Sequence, residues 1–439
     1  LSAFHLQSGR SADNFTSEHS SFLRFRQSRG FMHRSPSFRV GTAATVLVAA
    51  LGYFVDVYDL LLFSIVRVES LKSLAVAPER ILSDGAFLLN AQMLGIVIGG
   101  VAWGVLGDRR GRLSILFGSI FLYSVANFAN AFVTDVPTYA ALRFVAGFGL
   151  AGELGAAVTL VSEVMRRESR GYGTALVAAV GALGAIAAAL VAQIFPWRTA
   201  YVIGGVLGFS LLVARLGVAE SSLFDTLKRT NVRRGDVIGL LKSPRRAARY
   251  LRCTLLGVPF VYVIGILVTF SPEIAKNLAA TGPVVAGRSV LAAYVGMTVG
   301  DLASGFLSQR AASRKKIVFL FLGMTAALLV AFSLLREPSP SVVYGVCGAL
   351  GFAVGYWAVF VTMAAEQFGT NVRATVATSV PNLARGATLP LTLAFQALGP
   401  RLGLANAALL VGGVCVLAAV VSLAGLEETF GRDMDFLET

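Results

Sequence analysis

Charged side chains are scarce in this chain: they make up 14% of its 439 residues, against 56% hydrophobic, where a soluble domain carries roughly 25% charge. A water-soluble fold would have nowhere to put so much apolar surface, so that class is excluded. Histidine is equally sparse. His5, His19 and His33 all fall in the polar start of the chain, and no cluster with metal-ligand spacing appears. No phosphate-cradling glycine loop or nucleophile constellation is present either, so neither a cofactor nor catalysis is expected. The three cysteines, Cys253, Cys347 and Cys415, lie inside apolar stretches. They read as packing residues with no disulfide or metal implied.

What the chain has instead is a series of long apolar runs, each near the roughly 20 residues needed to cross a bilayer core. The runs are 40–66, 83–107, 113–133, 137–163, 171–194 and 197–219, then 252–274, 284–308, 316–335, 340–365, 374–397 and 402–425. The fold class expected is an all-α membrane protein with twelve transmembrane helices in two pseudo-symmetric six-helix bundles, at 40–219 and 252–426. A basic linker, 220–251, separates them, and 427–439 forms a tail. Residues 1–39 are Ser-, Arg- and Phe-rich and read as a disordered polar extension. They lack an apolar core of signal-peptide length, and Asp13 and Glu18 count against a transit peptide. The first residue, Leu1, reads as a fragment boundary or as the continuation of an upstream extension.

Lys and Arg are retained on the cytoplasmic side of short loops. Arg24, Arg26, Arg29, Arg34 and Arg39, then Arg109, Arg110 and Arg112, then Arg166, Arg167 and Arg170, and the run from Lys228 to Arg252 all fall on one side. That side is the cytoplasm if both termini are inside, as in a multi-pass protein of a bacterial inner membrane. Arg67, Lys72, Arg198, Arg336 and Arg401 are read as scattered outer-loop residues. The net charge of +14 is then a topological bias, and nucleic-acid binding is excluded.

Short signatures recur in the two halves. Gly104-Val-Leu-Gly107-Asp108-Arg109-Arg110-Gly111-Arg112 is matched by Gly305-Phe-Leu-Ser-Gln309-Arg310, followed by Arg314. Glu163 precedes Arg170 by the same interval as Glu366 precedes Arg373. With these residues the chain resembles the major facilitator superfamily from about Val40 to Thr439. Arg143-x-x-x-Gly147-x-Gly149-x-x-Gly152 looks like a second signature of that family. Glu220-Ser-Ser-x-Phe224 and Glu428-Thr-Phe resemble the ends of its sugar and metabolite porters. The resemblance implies a transporter whose cytoplasmic charges act as a gate: Glu163 with Arg109 or Arg112, Glu366 with Arg310 or Arg314, and Arg170 and Arg373 bracing the two glutamates.

Ionisable residues inside a membrane need a partner, water or a proton. Span one carries Asp56-Val-Tyr58-Asp59, two carboxylates three residues apart on similar helix faces. The segment is similar to the first helix of proton-coupled phosphate, aromatic-acid and metabolite symporters. That likeness implies proton coupling, with Asp59 as the main acid and Asp56 the second; pairing with Arg143 or local backbone capping is the other reading. Arg143 and Glu153 lie about 15 Å apart along span four, too far to neutralise each other. Arg143 is expected near Asp56 or Asp59, and Glu153 either couples protons or bonds an adjacent helix. Span eleven holds Pro381-Asn382-Leu-Ala-Arg385-Gly386 and Pro390, a broken helix with a guanidinium at mid-membrane. Arg385 there suits a carboxylate, or else bonds carbonyls freed by the prolines. It is expected in the opposite half from the span-one acids, away from them. Arg143, Tyr58, Asn90, Gln92, Gln193, Tyr356, Trp357 and Asn382 are further candidate substrate contacts. The function expected is proton-coupled uptake of a small organic anion by a monomer, with a neutral-metabolite porter or a non-transporting receptor as alternatives.

Overall fold

The computed structural model describes residues 37–110, 112–153, 170–218 and 243–431, and among these every regular element is helical. The first half contains α1 (Ser37–Ser73), α2 (Ile81–Arg110), α3 (Arg112–Asn130), α4 (Val136–Leu150), α5 (Arg170–Ile194) and α6 (Trp197–Val218). The second contains α7 (Pro244–Tyr262), which runs through a π-helical turn at Val263–Val268 into α8 (Ser271–Asn277). Then follow α9 (Ala286–Arg310), α10 (Arg314–Ser333), α11 (Pro340–Ala353), α12 (Trp357–Glu366), α13 (Thr370–Gly386), α14 (Thr388–Leu402) and α15 (Leu404–Ala424). Among the described residues, eight continuous stretches are long and apolar enough to cross a membrane, and two shorter apolar helices accompany them. Their outward faces carry large exposed apolar residues such as Val101, Phe132, Phe306, Phe319 and Val421. Only a hydrocarbon solvent accommodates so much of that surface.

Twofold repetition is visible in backbone contacts. Side chains at Gly95 and Gly99 of α2 would collide with the Phe144 and Phe148 carbonyls of α4, and at Gly147 with that of Gln92. In the second half Gly296, Gly300 and Gly351 stand in the same relation to the carbonyls of Gly348, Phe352 and Ala293. Both α4 and α11 also start alike. Asp135 accepts from the Thr138 N–H at 2.8 Å and Ser339 from the Val342 N–H at 3.4 Å, each cap followed closely by proline. The halves meet along two seams, α5 with α9 and α2 with α13.

Four expected spans differ in detail. Span four turns at Ala151–Gly152, and span ten breaks between Ala353 and Trp357. At the second break Gly355 presses on Gly300, where a Cβ would sit 2.7 Å from backbone. Span eleven breaks at Ala387, because Pro390 has no N–H for the Gly386 carbonyl. The helix of span seven begins at Pro244, inside the segment expected as linker. The rest of that linker, the N-terminal extension up to residue 36 and the tail from 432 lie outside the described residues. Cys253, Cys347 and Cys415 are buried free thiols.

Candidate functional site

A cavity with about 770 Å³ of space between atoms, part of it open to solvent, lies between the halves. On the first half, α1 lines it with Tyr53, Val57, Leu61 and Ser64, a stripe at helical spacing. Across from these stand Phe260, Ile264 and Gly265 of the α7 proline and π-turn region, Tyr294, Met297 and Asp301 of α9, Trp357 of α12 and Arg385 of α13. Phe260 and Trp357 meet at 4.2 Å between ring centres with their planes tilted by 34°, and Trp357 meets Phe360 at 5.1 Å. The walls are mainly aliphatic, with four rings, Tyr53, Phe260, Tyr294 and Trp357, and a guanidinium and a carboxylate set into them.

The span-one acids face different ways. Asp56 points across the seam, and its Oδ2 is 3.9 Å from Arg385 Nη1. Asp59 points into its own half, against Gly204 of α6. Both are fully buried, and among the described residues none of their four oxygens has a hydrogen-bond partner. The expected separation of Arg385 from these acids is therefore not what the structure shows. A 60° difference around α1 is enough to send one acid across the seam and the other inward. Arg143 lies within electrostatic reach of Asp59, as expected, but forms no ion pair within 4 Å with either acid among the described residues. Arg143 Nη1 donates to Asn127 Oδ1 at 3.3 Å, and its guanidinium lies over Phe63 at 5.2 Å and Tyr201 at 5.7 Å.

Glu153 is ion-paired with Arg215 of α6 through both carboxylate oxygens, one bond measuring 3.2 Å. Gly52 of α1 makes room for this pair, since a Cβ there would collide with both partners. Arg215 was not anticipated, although a basic residue near the end of span six was the available signal. Arg67, expected in an outer loop, is completely buried in α1. Its Nη2 reaches Glu273 of α8 at 2.6 Å and the Thr269 carbonyl at 3.2 Å, and it lies 4.5 Å over Phe270. This ion pair ties the halves together at one end of the cavity. Toward the other end, Asn382 donates to the Ala151 carbonyl at 3.1 Å, across the seam at the α4 turn.

Several candidate contacts turn away from the cavity. Tyr58 donates to the Ala200 carbonyl at 3.0 Å and Tyr356 to that of Leu256 at 3.1 Å; both are fully buried packing residues. Gln92 donates to the Leu60 carbonyl at 3.4 Å, and half-buried Asn90 lies behind the lining. Gln193 is exposed and donates to Ala189 of its own helix. Asp301 was missed; an aspartate in the middle of span eight was its signal.

On the charged face, Glu366 pairs with Arg314 at 2.6 Å, while Gln309 and Arg310 are exposed. Glu428 accepts from the Arg314 and Lys315 N–H groups at 3.0 and 3.2 Å and from the Ser313 hydroxyl. It thus caps the N-terminus of α10. Partial burial pushes its carboxyl upward, but Ser313 and the N–H groups of Phe430, Arg314 and Lys315 outweigh that and hold it below the usual glutamate range. The side chains of Asp108, Arg109, Arg112, Glu163, Arg170 and Arg373, and the surroundings of Gly104, Gly107 and Gly111, lie outside the described residues.

Residues 49–389 match the model of the Major Facilitator Superfamily. The chain is 26% identical to the niacin transporter NiaP of Acinetobacter baylyi over 359 residues, 74% of this chain and 80% of that one. It is 27% identical to the 3-(3-hydroxy-phenyl)propionate transporter of Escherichia coli over 293 residues, 66% of this chain and 71% of that one. A shorter stretch of 138 residues, 29% of this chain and 30% of the other, is 31% identical to the 4-hydroxybenzoate transporter PcaK of Pseudomonas aeruginosa. Two helical halves joined around a cavity, a family match over most of the length and relatives that are transporters agree: the chain belongs to the Major Facilitator Superfamily and is an integral, multi-pass membrane transporter.

Proposed function

We propose that this protein takes up a small aromatic carboxylate together with a proton, by alternating access of the cavity between its two halves. The observation that carries this reading is the pair formed by Arg385 and Asp56 across the seam, at a cavity that also presents the rings of Tyr53, Phe260, Tyr294 and Trp357. Arg385 presents a planar, permanently charged fork suited to a carboxylate, and the rings supply a stacking surface for the rest of the substrate. The named substrates of the relatives are of this chemistry.

Coupling follows from competition. A substrate carboxylate and the Asp56 carboxylate both seek the Arg385 guanidinium. When Asp56 takes up a proton it releases Arg385, and the anion binds; when the anion leaves, Arg385 draws Asp56 back into ionised form. Proton and substrate therefore favour one another, and by linkage each raises the other's affinity by the same factor. On this reading Asp56 is the first coupling acid, supported by its approach to Arg385, and Asp59, expected from the sequence as the main acid, is a second, inward-facing one. Glu153, neutralised by Arg215, holds the first half together instead.

Arg67 with Glu273 closes the outer end, and Asn382 with Ala151 lies on the cytoplasmic side, with both chain termini cytoplasmic. Glu366 with Arg314 belongs to the cytoplasmic gate proposed with Glu163, Arg109, Arg112, Arg170, Arg373 and Arg310. Uptake of labelled aromatic acids and of their neutral amides into vesicles, with and without an inward proton gradient, tests the reading. Acid uptake should exceed amide uptake, respond to the gradient and be lost in Arg385→Ala. An amide carried as well as its acid, or a preference that survives in Arg385→Ala, refutes it.

A further inference from the structure

Asp301 is the cavity feature that a simple anion site does not need. It stands directly after Gly300 in α9, whereas the equivalent residue after Gly99 in α2 is Gly100, with no side chain at all. The repeat therefore does not demand a carboxylate here. Asp301 Oδ1 accepts the Ala358 N–H at 3.1 Å, at the first turn of α12, so a helix N-terminus supports the acid electrostatically. The Trp357 N–H supports the carboxylate as well; an ionised carboxylate has about four acceptor sites, so these two contacts leave others open. No ion pair within 4 Å involves Asp301 among the described residues, and its side chain lines the cavity that Arg385 also lines. Tyr53 and Tyr294 lie within electrostatic reach of both charges, which places the two poles around a shared aromatic wall.

A bare negative charge would repel the carboxylate that Arg385 attracts. The arrangement becomes favourable when the substrate brings a hydrogen-bond donor at its other end. We infer that Asp301 is a specificity-determining residue: it accepts a hydrogen bond from a ring hydroxyl or a protonated ring nitrogen of an aromatic acid whose carboxylate is held by Arg385. The inference rests on the aromatic-carboxylate reading and narrows it to acids bearing a donor on the ring. It also fixes their orientation, carboxylate toward α13 and donor toward α9 and α12.

Binding to the purified full chain is measured for benzoate, 3- and 4-hydroxybenzoate, nicotinate and the two matching methoxybenzoates. A charge-assisted hydrogen bond is strong enough that at least one donor-bearing acid should exceed benzoate by about tenfold or more. Its methoxy counterpart, which cannot donate, should lose that gain. Asp301→Ala should bring the donor-bearing acid and benzoate to within about twofold of each other. Because Asp301 also caps α12, Asp301→Asn serves as the second variant. Its amide oxygen can keep the Ala358 contact, while the NH2 that replaces the other oxygen only donates, so the preference for a donor-bearing acid over its methoxy counterpart should be lost. Benzoate binding with no gain for any donor-bearing acid, or a preference untouched by both substitutions, overturns this inference while leaving the parent reading standing. Failure of benzoate and every other aromatic acid to bind overturns both.

Discussion

Glutamine in place of Glu153 separates two accounts of that residue. Glu153 is completely buried, and Arg215 engages both of its oxygens from α6 with 9% of its side chain exposed. Removing one partner of such a pair leaves an uncompensated buried charge, at a cost of about 3–5 kcal/mol. Each 1.4 kcal/mol is about tenfold, so the folding equilibrium should fall by at least about a hundredfold. Replacing both partners together, as Glu153→Leu with Arg215→Met, removes both charges and should recover most of that loss, because an apolar pair of similar volume is often neutral or better. The assay is equilibrium unfolding of the detergent-purified protein, read by tryptophan fluorescence, for wild type, both single variants and the double. A coupling acid behaves otherwise: Glu153→Gln would be as stable as wild type and would specifically lose gradient-driven accumulation. That outcome, or a double variant as unstable as Glu153→Gln, refutes the structural role argued from the ion pair.

Three further outcomes follow from other contacts. In Asp56→Asn, Arg385 no longer has a competing carboxylate, so substrate binding should become tenfold or more tighter at alkaline pH and lose its pH dependence; binding titrations at pH 6 and 8 check this, and an unchanged profile counts against competition. Glu273→Gln removes the charge that Arg67 meets at 2.6 Å and should raise labelling of a cysteine placed at Ser64, in the cavity wall, by an impermeant reagent; labelling equal to wild type would show that the pair does not close that end. Since Glu428 has a depressed carboxyl, its contribution to docking the C-terminal segment is complete above the ordinary glutamate range and is lost as pH falls through the lower folded value. Proteolytic release of that segment should therefore begin only under strong acid in the wild type and occur at neutral pH in Glu428→Ala.

Much of the architecture was legible because a membrane imposes it. Apolar runs near bilayer length, and the paired signatures at Gly104 and Gly305, carry the fold without any tertiary information. The mid-membrane position of Arg385 and the broken helix around it were also readable, since prolines at 381 and 390 remove backbone donors wherever they occur. What sequence spacing cannot supply is azimuth in three dimensions. Asp56 and Asp59 are three residues apart, yet one faces the other half and one its own. Arg215 and Glu153 are sixty-two positions apart in sequence and meet only because Gly52 leaves space between their helices. Arg67 read as a loop residue because a charge near the end of a span is usually at the interface. Glu273 and Phe270, from the other half, are what allow it to be buried.

The backbone-to-backbone contacts at Gly95, Gly99 and Gly147, and at Gly296, Gly300 and Gly351, have a mechanical consequence. A seam made of side chains can yield by changing rotamers, whereas carbonyls resting on bare Cα atoms have nothing to rotate. The α2–α4 and α9–α11 pairs therefore act as stiff struts, one in each half, and transmit displacement from one face to the other with little loss. Among the described residues, compliance is left to the places where the helical hydrogen-bond ladder is already interrupted: the turn at Ala151–Gly152 in the first half, and the π turn after Pro259, the break around Gly355 and the one at Ala387 in the second. The three in the second half border the cavity, so bending during a transport cycle should be concentrated at these interruptions.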